Sequence, residues 1–162
     1  MRYDEVTASN LLEIDLEGNI ISGNGAINYT GFVIHGAIHQ TREDLNCIMH
    51  SHSRAGLAIS CLKNGLEILI QDSAMFHNRI SYHDWEGMST NTEECASIAR
   101  NLGNNNTMIL RNHGLLTAGK SIGEAFMSMY YLDRACKLQI DLLNSNQDII
   151  CLLYTSPSPR DR

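Results

Sequence analysis

The chain has no apolar run long enough to cross a bilayer as a helix, which excludes a helical membrane span. It has no Cys-x-x-Cys pair and an odd number of scattered cysteines, Cys47, Cys61, Cys95, Cys136 and Cys151. That pattern fits reduced, buried thiols in a cytoplasmic protein. No glycine-rich nucleotide fingerprint follows a strand. Basic charge is in deficit: the net charge is −6. The last residues, Arg160, Asp161 and Arg162, contribute +1 of it, so the body carries −7. An acidic body argues against nucleic acid and anionic membranes as partners. Met1 to Glu5 lack the apolar core of a signal peptide.

What remains suits one domain with a real core, since 162 residues can bury one. Thr7 to Asn10 reads as a turn. Leu11 to Ser22 reads as a hairpin with Glu17 to Asn19 at its tip. Gly23-Asn-Gly25 could present amides to an anion, although a plain glycine loop is the simpler reading. Thr30 is positioned to cap a helix over 31–40. A helix from Ser53 or Arg54 to Gly65 offers a small-residue face of Ala55, Ala58 and Ile59. Leu66 to Ile70 is a strand candidate. Thr90-x-x-Glu93 and Ser121-x-x-Glu124 are capping boxes. The first opens a helix with apolar face Cys95, Ile98, Ala99 and Leu102, stopped by Gly103. Behind the second, Ala125, Phe126, Met129, Cys136, Ile140 and Leu143 recur at helical spacing and read as core.

Three histidines carry the chemistry. Cys47 to His52 reads as a strand, so His50 and His52, two apart, share a face. Cys47, three residues from His50, points to the other face. A lone His-x-His is more often packing or surface than a ligand pair. His113 changes the weighing, because it closes a second strand-like run from Met108, just before Gly114. If the two strands lie side by side, three imidazoles converge. Three neutral nitrogens with an open fourth position describe a catalytic metal site better than a structural one. His35 and His39 stand one helical turn apart, a spacing that could bind metal but more often serves interior hydrogen bonding. Tyr82 and His83 could reach a pocket as proton donors, although packing roles are the more ordinary reading for both.

Five ordered stretches then stand out: Arg2 to Leu11, Gly31 to His39, Met49 to His52, Ser81 to Gly87 and Leu110 to Gly114. From Arg2 to about Leu143 the chain resembles the class II aldolase/adducin family, with the Gly31 and Tyr82 segments most like the adducin branch and its bacterial members. The resemblance implies a three-layer α/β/α fold with a central mixed, mostly antiparallel sheet. It implies a divalent metal on His50, His52 and His113, zinc ahead of manganese, iron or cobalt, with His35 behind the ligands. It also implies a homo-oligomer, a tetramer in the enzymes, and a small-molecule substrate. The sugar-phosphate aldolases carry a proton-moving glutamate before the His-x-His strand, and that place falls at Gly31 or Phe32. Neither can move a proton.

Two functional readings follow. One is a metal-dependent lyase that cleaves a small hydroxy-carbonyl or carboxylate substrate, by aldol-type cleavage or decarboxylation through a metal-stabilised enolate. The other is a non-enzymatic adducin-like head that serves oligomerisation or actin association. Residues 1–150 read as the family domain with its N-terminal part missing. Cys151 to Asp161 resembles a translated sequencing-library adapter, so 151–162 reads as a non-native tail. A fragment of this kind is also expected to be at risk of not folding alone, through exposed apolar sheet surface.

Overall fold

The computed structural model describes residues 3–87 and 92–152, with residue 3 and residues 92–95 described through their backbone only. The chain divides into two compact units. The first holds residues 1–43 and 86–99, and the second residues 44–85 and 100–162.

In the first unit, short 3₁₀ turns at Tyr3–Glu5 and Ala8–Asn10 precede the expected hairpin. Strands β1 (Glu13–Ile14) and β2 (Ile20–Ser22) pair antiparallel. Asp15 organises the tip. Its Oδ1 accepts from the Glu17 and Asn19 backbone amides at 3.0 and 2.7 Å, and its Oδ2 from the Asn19 side chain at 2.8 Å. These bonds, the Asn19 side chain first, hold the Asp15 carboxyl below its usual range. Helix α1 (Tyr29–His39) starts earlier than expected and is capped by Asn28, not Thr30. Asn28 Oδ1 accepts from the Gly31 amide, and the Thr30 hydroxyl, already helical, donates to the same oxygen at 2.8 Å. An asparagine in extended backbone is the better cap. Val33, Ile34, Ala37 and Ile38 are buried. The other side of α1 borders a cavity of about 570 Å³, where His35 and His39 meet Leu12, Ile14, Phe32 and Gly36.

The second unit is built on a four-stranded sheet. Its strands are β3 (Cys47–Ser51), β4 (Ile80–His83), β5 (Thr107–Leu110) and β6 (Gly114–Gly119). The order is β3-β6-β5-β4, with β3/β6 and β6/β5 antiparallel and β5/β4 parallel. The α/β class with a mixed, mostly antiparallel central sheet is therefore as expected. The two inner strands are buried along their whole length, which is why they read as continuous apolar runs and not as alternation. The short helix α3 (Gln71–Ala74) follows α2 (Arg54–Ser60) in sequence, and α2 and α5 (Ile122–Asn144) pack on the sheet through Ala55, Ile59, Ile109, Leu115, Leu132, Ala135 and Cys136. Gly56 permits the α2 approach, since a Cβ there would lie 2.6 Å from Leu115 Cγ. Burial pushes the Cys136 thiol up to about 12, as befits an inert core cysteine.

Several expectations change in detail. Helix α2 is capped by Ser53 and ends at Ser60, well before Gly65. The Ser121 hydroxyl accepts from the Glu124 amide at 3.2 Å, but Glu124 reaches back to the Lys120 amide, one residue beyond the reciprocal partner of a capping box. Phe126 and Leu143, expected in the core, are exposed at 53% and 44%; the buried stripe of α5 is Ala125, Leu132, Ala135, Cys136 and Gln139. Helix α4 (Thr92–Leu102) buries Ile98 and Leu102 and ends before Gly103, which takes φ +55°. The capping box at Thr90 and Glu93, the Cys95 side chain and the tail past Leu152 lie outside the described residues.

Leu66 to Ile70 forms no strand, because side chains satisfy its backbone. Leu66 N–H donates to the Tyr82 hydroxyl at 3.1 Å, Glu67 N–H to Gln139 Oε1 at 2.8 Å, and Leu69 and Ile70 N–H to Ser73 Oγ at 3.0 and 3.1 Å. Gln139 also donates to the Gly65 carbonyl at 2.9 Å while only 2% exposed. Amides held in this way are not available to a neighbouring strand, and the Ile68 carbonyl accepts from the Leu152 N–H at 3.1 Å. Gln139→Leu keeps the volume but strands both backbone groups. It should lower the unfolding free energy by about 2 kcal/mol in urea titration, with an unchanged m value.

His35 makes a second prediction. Burial first, and the neighbouring His39 second, hold its pKa below the ordinary 6.5. The fold thus prefers the neutral ring. Its contribution to stability is intact above the unfolded value and is lost as pH falls through the lower folded one. The thermal midpoint should drop between about pH 7.5 and about pH 5, and His35→Leu should show a shallower drop. An equal drop in both proteins would contradict this assignment.

Candidate metal centre

The β3–β6 register assembles the site. His50 pairs with Leu116 and Ser51 with Leu115, so the next residue along, His52, comes opposite Gly114 beside His113. Contrary to expectation, His113 does not close a strand: β5 ends at Leu110 and is not the neighbour of β3. Strand β6 lies between them, and His113 occupies the tight turn, residues 111–113, that leads into it. Asn112 takes φ +57° in this turn and donates its backbone N–H to the Ser60 carbonyl at 3.2 Å. His113 N–H donates to the Leu110 carbonyl at 3.1 Å. Gly114 is required by close approach, because a Cβ there would lie 2.5 Å from the Ser51 carbonyl and 3.1 Å from His52 Cδ2.

One ligand nitrogen from each of His50, His52 and His113 lies within 4.8 Å of the others. Ring centroids are 4.6 Å apart for His50–His52, 4.8 Å for His50–His113 and 4.9 Å for His52–His113. His50 Nδ1 lies 2.9 Å from the Leu115 carbonyl, which can only accept, so Nδ1 carries the hydrogen. The Nε2 lone pair of His50 is then directed at His52 Nε2, 2.8 Å away. His52 Nε2 either donates its hydrogen to that lone pair or, without one, requires a cation between the two nitrogens. Burial first, and then the charges of His52 and His83, hold the His113 pKa below the ordinary imidazole range. Each feature favours the neutral, lone-pair-bearing ring that a metal requires. The donor set fits a borderline-soft divalent ion, and His52 is exposed, which leaves the cluster open to solvent. Cys47 pairs with Gly119 at the far end of β3 and takes no part.

Among the remaining sequence candidates, Tyr82 and His83 are the last two residues of β4, and the His83 carbonyl accepts from the Arg111 N–H at the start of the His113 turn at 2.8 Å. Tyr82 is tied into the core: its hydroxyl accepts from Leu66, and the Arg111 guanidinium sits 4.2 Å over its ring. His83 points to the opposite face of β4, is 3% exposed and accepts at Nδ1 from Asn101 Nδ2 at 2.8 Å. His35 lies on α1 in the first unit, at the cavity described above. Gly31 and Phe32 stand in the first turn of α1 and present no ionisable group. Sequence reasoning passed over Trp85, whose ring meets that of His113 edge to face at 5.7 Å. Its position two residues after His83, at the end of β4, was the available signal.

The model of the Class II Aldolase and Adducin N-terminal domain matches residues 1–140. A Caulobacter vibrioides protein provisionally named as a class 2 aldolase is 42% identical over 153 residues, covering 94% of this chain and 60% of that protein. Rat alpha-adducin is 42% identical over 147 residues, covering 88% of this chain and 20% of that protein. Among solved structures, an aldolase II superfamily protein from Pseudomonas syringae superposes with a TM-score of 0.89 at 40% identity, covering 93% of this chain and 62% of that one. The L-fuculose 1-phosphate aldolase of Glaciozyma antarctica superposes with a TM-score of 0.78 at 34% identity, covering 90% and 57%. The chain thus spans about three fifths of its bacterial relatives. With the sheet, the ordered motifs and the histidine cluster in agreement, the chain belongs to the class II aldolase and adducin N-terminal domain family.

Proposed function

We propose that the protein is a divalent-metal-dependent lyase acting on a small hydroxy-carbonyl or carboxylate substrate, with His50, His52 and His113 as the metal ligands. The observation that carries this reading is the convergence of three imidazoles with the His50 tautomer set by the Leu115 carbonyl. When bound, a divalent ion, zinc before manganese, iron or cobalt, supplies a Lewis acid for the substrate's oxygens. The chain's own part is to hold three neutral nitrogens together and to leave His52 at the solvent side for substrate entry. The named sugar-phosphate relative supports a polyoxygenated substrate.

Gly31 and Phe32 bear on the kind of cleavage. Aldol cleavage begins by removing a hydroxyl proton and needs a positioned base, and neither residue supplies one. Decarboxylation needs no such base, because carbon dioxide leaves from a carboxylate and the bonding pair stays on the substrate carbon until that carbon takes a proton. Decarboxylation is therefore the favoured reaction, carried out by a cytoplasmic homo-oligomer.

The identity to alpha-adducin favours a second reading, a non-enzymatic head domain that serves association. The two separate on one variant. His50→Ala should lower bound zinc and lyase turnover together, turnover by at least about a hundredfold, as expected when an essential ligand is lost. Turnover retained in that variant would remove the lyase mechanism. A folded wild-type protein that takes up no zinc and turns over no hydroxy acid would leave the association role.

A further inference from the structure

The three imidazoles are not held alike. His50 is fixed by its Nδ1–H bond to Leu115 and by its place on β3. His113 stands on a turn, and among the described residues no hydrogen bond fixes its ring. A metal-binding histidine ordinarily gives its second ring N–H to an acceptor that sets its orientation. His113 instead has an aromatic neighbour. The Trp85 indole meets its ring at 5.7 Å and 87°, an edge-to-face arrangement favoured by the aromatic quadrupole. Trp85 is 48% exposed, so it is not a core residue whose burial alone explains its position. It stands two residues past the end of β4, the strand at the far edge of the sheet from β3, and so approaches the cluster from a different element than His50 or His52.

We infer that Trp85 is a positioning residue for the metal centre, packing against His113 to hold its imidazole in the ligating orientation. The inference rests on the metal-site reading above. It has a consequence independent of turnover. Trp85 is the chain's single tryptophan, so indole emission reports on this position alone. Binding of an ion by His113 changes the charge on the ring that the indole touches, and emission follows site occupancy.

The experiment uses the full chain, freed of metal and titrated with zinc while Trp85 emission is recorded. A competing chelator dye gives the affinity of each variant. Wild type should show a saturable emission change. Trp85→Ala should bind zinc about fivefold more weakly, the scale of one lost aromatic pair, and Trp85→Phe should recover to within about twofold. The metal-free thermal midpoints of the three proteins should agree closely, because the indole is half exposed. Equal zinc affinity in wild type and Trp85→Ala would overturn the inference and leave the metal site standing. Trp85→Phe as weak as Trp85→Ala would also overturn it, since edge-to-face packing needs only an aromatic ring. No zinc uptake by wild type would overturn both this inference and the lyase reading.

Discussion

The candidate site depends on one pairing, the antiparallel register of β3 against β6. It sets Ser51 opposite Leu115 and thereby puts His52 across from Gly114. A shift of one residue would turn His50 to the other face of the sheet and dissolve the cluster. The register is held from both ends. At one end Asn46 donates its amide N–H to the Gly119 carbonyl and its side chain to the Lys120 carbonyl. At the other, the absence of a side chain at Gly114 lets the turn that carries His113 close onto Ser51 and His52. Core and site are coupled at Leu115. Its side chain packs under Gly56 in the hydrophobic cluster, while its carbonyl sets the tautomer of His50.

The same economy appears on the helical side of the sheet. Helix α5 buries small residues, Ala125, Ala135 and Cys136, against the strands and spends one buried polar group, Gln139, to fasten an irregular segment. That segment in turn gives its Leu66 amide to Tyr82, and Tyr82 lies beneath Arg111, the first residue of the turn that ends in His113. Arg111 donates to the Leu62 and Lys63 carbonyls beyond the end of α2. The turn is thus anchored by side chains on two sides, which suits a ligand that no strand holds.

Much of this was legible in the residues. The His50–His52 spacing, the Arg-Asn-His-Gly run, the hairpin around Glu17 to Asn19 and the α/β class all survive in the structure. What failed did so for tertiary reasons. Leu66 to Ile70 has strand composition, but the partners of its amides are up to 72 residues away and invisible to local pattern. Phe126 and Leu143 fit the helical period, yet the sheet accepts a narrower stripe than the sequence displays. His113 read as a strand end because Asn112 at positive φ, which turns the chain there, carries no local mark beyond being an asparagine before a histidine and a glycine. Trp85 carried one local signal, its place two residues after His83, while its contact with His113 bridges 28 residues of sequence and leaves no local mark.

Cobalt(II) titration of the metal-free full chain, followed by visible absorption, tests the central claim most directly. Cobalt reports ligand number and type through its d–d bands. The account predicts saturation at about one ion per chain, with bands of a four- or five-coordinate nitrogen-rich site, absent from a His50, His52 and His113 triple alanine variant that keeps its circular dichroism. An octahedral, solvent-like spectrum, or an uptake unchanged in the triple variant, would contradict it.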